Sequence, residues 1–246
     1  MKGFLYDLHT HTAEVSGCGR LPAAEVAERY AAAGFSGFAV TDHLHLEFLG
    51  RLGAGCSWDD AVSQYLTGYR AAERHGGKLG VRVVLGAELR FPENNNDYLI
   101  YGIDEAWLRK NPGICQMTAQ GFFDRYHDEV LIIRAHPFRE GSALMEEGAV
   151  HGVELINTNP RHDNGNRQAL ALCQRHPEYL RTAGSDTHRE GDAAQAGVIF
   201  PEPAEDSFAC KQLLGAGRFT LWAPGYEALT RADEALREAA RQRRQK

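Results

Sequence analysis

Short apolar runs alternate with helix-like segments along the whole chain, and this alternation limits what the chain can fold into. Residues 37–41 and 130–135 have the length and composition of buried strands. Residues 22–33 and 165–175 carry apolar side chains at helical spacing. This βαβα order predicts an α/β fold with a largely parallel sheet and helical crossovers. Roughly seven such units predict a barrel of the TIM type, whether complete or incomplete.

The remaining predicted elements follow the same pattern. Strands are predicted at residues 3–8, 81–85, 98–101, 153–156, 181–183, 198–200 and 219–222. Helices are predicted at residues 58–75, 118–128 and 227–243, the first ending at Gly76 and Gly77. No low-complexity linker or repeat of fixed period interrupts residues 1–246, so we predict a single domain.

Composition limits the partners and the compartment. The net charge is −6, from 27 basic and 33 acidic residues, so no long nucleic acid is expected as a partner. No apolar run is long enough for a membrane span or a signal peptide. The odd number of five cysteines, with no C-x-x-C pair, argues against disulfides and a zinc knuckle. We therefore predict a reduced, cytoplasmic protein. Cys18, on the first loop, is expected to be a small buried thiol, with contact to the site as the alternative.

Polar motifs follow the predicted strands one after another. Because the carboxyl ends of barrel strands share one face, residues far apart in sequence are expected to meet there. The motif residues are Asp7, His9 and His11 after the first strand, Asp42 and His43, Glu88, His136, Glu154 and Asn157, and finally Asp186 and His188.

The residue types at these positions suit divalent metal ions. His9 and His11 are two residues apart in an extended segment, so both side chains point the same way and can hold one ion. Asp186 and His188 repeat that spacing, and the two oxygens of Glu88 can bridge two ions. Imidazoles with carboxylates favour zinc, or else manganese or iron, over magnesium. We predict two or three divalent ions.

The ordered motifs DLHTHT, TDH, GAE, AHP and GSDTH resemble those of the polymerase-and-histidinol-phosphatase (PHP) family, from Asp7 to His188. The resemblance implies a distorted (β/α)7 barrel with a trinuclear metal centre, often acting as a phosphoesterase. Carried over by position, it also implies three groups of ligands. These are His9, His11, Glu88 and Asp186 for the first ion, Glu88 and His136 for the second, and His43 and His188 for the third.

Three further positions are candidates for the metal centre. Asp42 is either a ligand or a partner that orients an imidazole. Family members often have a His or Asp where this chain has Ser16 and Gly17, so Glu14 is the candidate ligand for the third ion. Members also often have a His before the strand that follows GAE, and Asp97 is the candidate there for the second ion. Without these two ligands the centre would hold two ions.

Two arginines in loops on the same face are predicted to bind phosphate. Arg139 and Arg161 can each fork onto two phosphate oxygens. Asn157 and His162 are the other predicted substrate-binding residues. The predicted catalytic residues are Asp186, His188, Arg139 and Arg161, with Asp186 or a metal-bound water as the proton donor to the leaving oxygen.

These features predict hydrolysis of a small phosphate ester, either a phosphomonoester or a cyclic phosphodiester, by a hydroxide held between two ions. Three alternatives stay open at this stage. The same centre would suit a nuclease acting on short oligonucleotides or nucleic-acid ends, or a metal-dependent amidohydrolase. A non-catalytic module stabilised by metal would have closed coordination instead. The predicted partner is a small phosphorylated substrate, and the oligomeric state is open.

Overall fold

The computed structural model describes residues 3–143 and 148–244, and it confirms a mixed α/β fold. The strands are β1 (Phe4–Asp7), β2 (Gly37–Val40), β3 (His43–Leu44), β4 (Arg82–Leu85), β5 (Ala87–Arg90), β6 (Asp97–Tyr101), β7 (Leu131–Arg134), β8 (Gly152–Asn157), β9 (Leu180–Gly184), β10 (Gly197–Phe200) and β11 (Thr220–Trp222). The helices are α1 (Ala23–Ala32), α2 (Leu46–Leu52), α3 (Trp58–Leu79), α4 (Glu105–Lys110), α5 (Ala119–Tyr126), α6 (Asn166–Arg175), α7 (Ser207–Gly215) and α8 (Glu227–Arg244).

The strands form two sheets. One has the order β11-β10-β1-β2-β4 and the other the order β3-β5-β6-β7-β8-β9. The prediction of a largely parallel sheet is wrong in part, because β6 runs antiparallel to β5 and β7, and β10 runs antiparallel to β1 and β11. The other ladders between described strands are parallel. The amino end of β6 therefore lies at the same edge as the carboxyl ends of its neighbours.

Backbone hydrogen bonds join the two sheets beyond the strand ends. The Gly86 amide donates to the Val40 carbonyl at 2.9 Å, and the Glu88 amide donates to the Asp42 carbonyl at 3.0 Å. On the other side, Thr10 pairs with Thr187 in an isolated parallel bridge. The segments after β1, β2, β4 and β9 are thereby held side by side, and these segments carry the polar motifs.

Helix α1 packs its apolar face against the first sheet and reaches the polar motifs through one tyrosine. Val26 and Tyr30 are buried with Phe38 and Val83 in one apolar cluster. The hydroxyl of Tyr30 donates to Oδ2 of Asp7 at 2.7 Å. The end of β1 is thus tied to the core by a buried hydrogen bond, which is costly to leave unmade.

Three short helices, α2, α4 and α7, were not predicted from the sequence. Their starts are marked mainly by capping side chains: Asp104 accepts from the Trp107 amide, and Asp206 accepts from the Ala209 amide. His45 caps α2 by accepting from the Phe48 amide through Nδ1 at 3.1 Å. In the described part of the chain, no helix is both long and apolar enough to cross a membrane.

Helix α3 is longer than predicted, because the glycines expected to end it lie inside it. The helix continues through Gly76 and Gly77 to Leu79 and ends at Gly80, whose φ is +74°. Gly76 is buried, and a Cβ there would lie 2.8 Å from the Val81 carbonyl oxygen. A side chain at this position would therefore collide with the segment that leads into β4.

We predict opposite effects for alanine at the two neighbouring glycines. Gly77→Ala meets no atom within 4 Å and should raise the free energy of unfolding by about 0.5–1 kcal/mol, since alanine favours helix. Gly76→Ala should lower it by about 1–3 kcal/mol, because backbone must move. Urea denaturation of both variants measures this difference, and equal stabilisation by both would contradict the packing described for Gly76.

Candidate metal centre

The polar motifs meet in one buried cluster around Glu88 of β5. Its Oε1 lies 3.2 Å from Nε2 of His9 and 3.2 Å from Nε2 of His136. Its Oε2 lies 3.3 Å from Nε2 of His11 and 2.9 Å from Nδ1 of His43. His43 and Glu88 are directly opposite each other in the β3–β5 ladder. Each carboxylate oxygen thus faces two imidazoles, an arrangement that lets one carboxylate bridge two cations.

Asp186, which follows β9, supplies a second carboxylate on the other side of the histidines. Its Oδ1 lies 3.3 Å from Nε2 of His11, 3.3 Å from Nδ1 of His188 and 3.5 Å from Nε2 of His9. This oxygen is buried and has no hydrogen-bond partner among the described residues. An unpaired buried oxygen next to several imidazole nitrogens is the environment that a cation would complete.

Possible ligand atoms form four groups of three in the described part of the chain, each with its atoms within 4.8 Å of one another. The groups are His11 with His43 and His188, His9 with His136 and Asp186, His9 with His11 and Glu88, and His43 with Glu88 and Asp97. Nitrogen and carboxylate donors at this spacing fit divalent transition ions.

Glu154 of β8 orients His9. Its Oε1 lies 3.0 Å from Nδ1 of His9, while Oε2 accepts from the His136 amide at 3.0 Å and from Nδ2 of Asn157 at 2.9 Å. Nδ1 of His9 therefore donates to Glu154, and Nε2, which faces Glu88 and Asp186, is the nitrogen that can bind an ion. From the sequence, Glu154 was placed at a strand end without a role, because that role depends on contacts with His9 and His136 from other parts of the chain.

Ser16 orients His11, and Asp42 acts through it. The Ser16 hydroxyl donates its one proton to Oδ1 of Asp42 at 2.6 Å. In its 3.2 Å contact with Nδ1 of His11, Oγ is therefore the acceptor and Nδ1 the donor. The carboxylate of Asp42 also accepts from the amide and hydroxyl of Thr12, at 2.7 Å and 2.6 Å. The structure therefore places Asp42 behind the imidazoles, bound to hydroxyls and an amide.

Glu14 and Asp97, the two further candidate ligands from the sequence, lie in different places. Glu14 is exposed, and both its carboxylate oxygens are 3.0 Å from the Ala23 amide at the start of α1, where a negative charge is favourable. Asp97 pairs with Arg90 through two contacts of 2.8 Å, and its Oδ2 lies 3.8 Å from Nε2 of His136. The structure brings Asp97 into the cluster because β6 begins at that edge, whereas Glu14 caps a helix.

The backbone at two cluster residues adopts a conformation that L-residues rarely use. His136 has a φ of +26° and Asp186 a φ of +53°. Such conformations cost about 1–3 kcal/mol each and persist only where surrounding contacts enforce them. The His136 amide donates to Oε2 of Glu154 at 3.0 Å, and the amide of Ser185, next to Asp186, donates to Oδ1 of Asp7 at 3.0 Å.

Charges in the cluster shift one another strongly. Burial lowers the pKa of His9, but Glu154, Asp186 and Glu88 together outweigh it and raise that pKa well above its usual value. Burial and the neighbouring imidazoles hold the pKa of His11 well below its usual value. Although burial opposes ionisation, adjacent imidazoles keep the pKa values of Glu88 and Asp186 well below the ordinary range. Both carboxylates are therefore ionised and available to a cation.

The predicted anion-binding arginines line the rim of the cluster. Arg139 donates to Oδ2 of Asp186 through Nη2 and to Oδ1 of Asn164 at 2.8 Å and 3.0 Å. Arg161 donates to Oδ2 of Asp192 at 2.5 Å, and the same oxygen accepts from the His188 amide at 3.1 Å. Both arginines thus lie beside the ligand segments and already contact carboxylates.

The other two predicted substrate-binding residues differ in exposure. Asn157 is buried: its Nδ2 donates to Glu154 at 2.9 Å, and its Oδ1 accepts from the Asn159 amide at 3.0 Å. His162 is exposed. The partial burial of its ring and the nearby charge of Arg139 nevertheless lower its pKa. Asn157 therefore lies in the interior, where it helps to position Glu154, whereas His162 lies at the surface.

Cys18 is exposed, so its prediction as a buried thiol is wrong. Its Sγ lies 3.1 Å from Nε2 of His188. Burial of the Sγ atom raises its pKa, but hydrogen bonds with His188 and His43 outweigh that effect and lower the pKa to about 6. The contact agrees with the alternative expectation for Cys18, although the loop sequence has no periodic pattern that sets side-chain directions.

Solved structures with similar folds have low sequence identity to this chain. A two-domain protein from Bacteroides vulgatus, containing a predicted PHP-like metal-dependent phosphoesterase, is 13% identical with a TM-score of 0.66, covering 95% of this chain and 70% of that one. PsfC from Pseudomonas syringae is 16% identical with a TM-score of 0.63, covering 98% and 99%. An amidohydrolase from Chromobacterium violaceum, with bound sulfate and no metal, is 16% identical with a TM-score of 0.52, covering 89% and 98%.

At these identities the structural similarity shows the fold alone. A search of curated proteins found no match. The sequence profile of the PHP domain matches residues 7–206, a span that contains every ligand candidate from His9 to His188. This match covers most of the chain, and the chain therefore belongs to the PHP domain family.

Proposed function

We propose that the protein is a metal-dependent phosphoesterase that hydrolyses a small phosphate ester, either a phosphomonoester or a cyclic phosphodiester. The observation that carries the proposal is Glu88, whose two oxygens each face two imidazoles. Membership of the PHP family supports this reaction class, as does the description of the Bacteroides vulgatus structure as containing a phosphoesterase.

The donor set supports two or three divalent ions, with zinc favoured and manganese or iron as alternatives. His9 and His136 would share one side of Glu88, and His11 and His43 the other. When bound, the ions would lower the pKa of water toward neutrality and neutralise charge on the phosphate. The low pKa of Asp186 favours its role as a ligand over its role as the proton donor.

The arginines supply the cationic donors that a phosphate needs. The hydrogen bonds of the Arg139 guanidinium to described residues use Nε and Nη2, and those of Arg161 use Nη1. The remaining N–H groups could donate to non-bridging phosphate oxygens and stabilise negative charge there. His162, at the surface near Arg139, is a candidate contact for the rest of the substrate.

We also propose that the two sheets are parts of one distorted seven-stranded barrel within a single domain. The hydrogen bonds between Gly86 and Val40 and between Glu88 and Asp42 support β3 and β5 as continuations of β2 and β4. The bridge between Thr10 and Thr187 supports closure between β9 and the extension of β1. The strands around such a barrel would be β1, β2/β3, β4/β5, β6, β7, β8 and β9.

The amidohydrolase alternative has one observation in its favour. The Chromobacterium violaceum neighbour is described as an amidohydrolase, and the same kind of metal centre could act on an amide. The nuclease alternative, on short oligonucleotides or nucleic-acid ends, has no comparable support. A cytoplasmic location, a small phosphorylated substrate and the lack of a long nucleic-acid partner stay predictions.

We predict that protein reconstituted with zinc, manganese or iron(II) releases inorganic phosphate from at least one member of a panel of phosphomonoesters and cyclic phosphodiesters. His9→Ala should reduce the rate to background, because it removes an imidazole beside both Glu88 and Asp186. His127→Ala, at an exposed site on the C-terminal side of α5, is the matched control. Cleavage of amides without phosphate release would favour the amidohydrolase, and full activity of His9→Ala would refute the proposed centre.

We further predict that Glu154→Gln weakens metal binding by about 10–100-fold, because the residue orients His9 and supports the His136 backbone. Competition with a chromophoric chelator measures the affinity. Glu202→Gln changes an exposed glutamate paired with Arg218 and should leave the affinity unchanged. Equal affinities for both variants would remove Glu154 from the account of the site.

A further inference from the structure

Cys18 lies at the open edge of the metal centre, in the loop between β1 and α1. Its Sγ is 3.1 Å from Nε2 of His188, although the residue is exposed. The backbone beside it is held in place: the Gly19 amide donates to the Ser16 carbonyl at 2.9 Å, and the Arg20 amide donates to the His188 carbonyl at 2.8 Å. The folded loop therefore sets the position of the thiol.

The imidazole beside this thiol already belongs to a candidate cation site that does not include the thiol. Ligand nitrogens of His11, His43 and His188 lie within 4.8 Å of one another. Nδ1 of His188 is 2.9 Å from the Asp186 carbonyl; because a carbonyl can only accept, Nδ1 is the donor there, which leaves Nε2, next to Sγ of Cys18, as the nitrogen that can bind an ion.

A buried carboxylate oxygen, without a hydrogen-bond partner in the described part of the chain, lies beside two of these three histidines. Oδ1 of Asp186 is 1% exposed as part of its side chain and has no hydrogen-bond partner among the described residues. It lies 3.3 Å from Nε2 of His11 and 3.3 Å from Nδ1 of His188. Glu14, the ligand expected from the sequence, is engaged with the Ala23 amide instead.

We propose that Cys18 takes the place expected for Glu14. As a thiolate it would hold the third ion, the outermost of the centre, together with His43 and His188. The inference rests on the proposed metal-dependent function. The thiol proton leaves when the ion binds, as it does at other thiolate sites. A soft sulfur ligand at this position favours zinc over manganese, so the outermost ion is selected by a residue that no family motif contains.

Cobalt(II), which reports thiolate ligands spectroscopically, is the probe for this assignment. Metal-free full-length protein is titrated with cobalt(II) in three forms: unaltered, Cys18→Ser and Cys56→Ser. Cys56 is a second exposed thiol and hydrogen-bonds only to the Ser57 carbonyl, at 3.5 Å, among the described residues. In parallel, alkylation of each cysteine in the unaltered protein is followed by peptide mass spectrometry with and without zinc.

The proposal expects a near-ultraviolet sulfur-to-cobalt charge-transfer band in the unaltered protein and in Cys56→Ser, but not in Cys18→Ser. The most weakly bound cobalt should bind at least about tenfold more weakly to Cys18→Ser. Zinc should slow alkylation of Cys18 and not of Cys56, a readout that depends on no variant, and manganese at equal concentration should protect less.

Two outcomes overturn the assignment and separate it from the proposed function. If cobalt and zinc bind without a charge-transfer band and without protecting Cys18, the metal centre stands and Cys18 is not a ligand. If neither metal binds at all, the proposed metal-dependent function fails together with the assignment.

Discussion

A fully buried carboxylate, Glu88, lies between two pairs of imidazoles, and the rest of the site is arranged around that placement. Removing a carboxylate from water costs several kcal/mol unless positive charge or donors surround it. Here the surrounding groups are His9 and His136 at one oxygen and His11 and His43 at the other. The orientation of each ring therefore matters, since an imidazole that turned away would remove one of the four groups that stabilise the charge.

Hydrogen bonds behind the imidazoles set those orientations. Glu154 holds Nδ1 of His9, and Ser16, itself bonded to Asp42, holds Nδ1 of His11. Both rings consequently present Nε2 toward the centre. These contacts continue outward through Asp7. Its carboxylate accepts hydrogen bonds from the amides of His9 and Ser185 and from the hydroxyl of Tyr30 in helix α1. Packing in the core is thereby coupled to ligand geometry.

Much of this arrangement could be predicted from the sequence, because each motif follows a strand and strand ends share an edge. The mixed α/β fold and the family follow from that local pattern. What the sequence did not reveal depends on contacts between distant residues. Asp97 was a predicted candidate, but the antiparallel direction of β6 that brings it to the cluster was not predicted. Nor was the close approach of the Val81 carbonyl to Gly76 within helix α3.

The loop after β1 shows the same limit at the level of single side chains. The family resemblance made Glu14 a candidate ligand, while the sequence gave no role to Ser16 and favoured Cys18 as a buried thiol. In the structure, Glu14 caps helix α1, Ser16 orients His11, and Cys18 contacts His188. A loop of irregular backbone has no periodicity from which side-chain directions follow, so these three roles emerge only once the loop is folded against its neighbours.

Anomalous diffraction at the zinc edge, from crystals grown with zinc, tests the central claim about Glu88 most directly. The account predicts at least two anomalous peaks, one on each side of the Glu88 carboxylate, the first near His9 and His136 and the second near His11 and His43. Zinc bound only at surface sites, or a Glu88 carboxylate with no anomalous peak in contact, would contradict it.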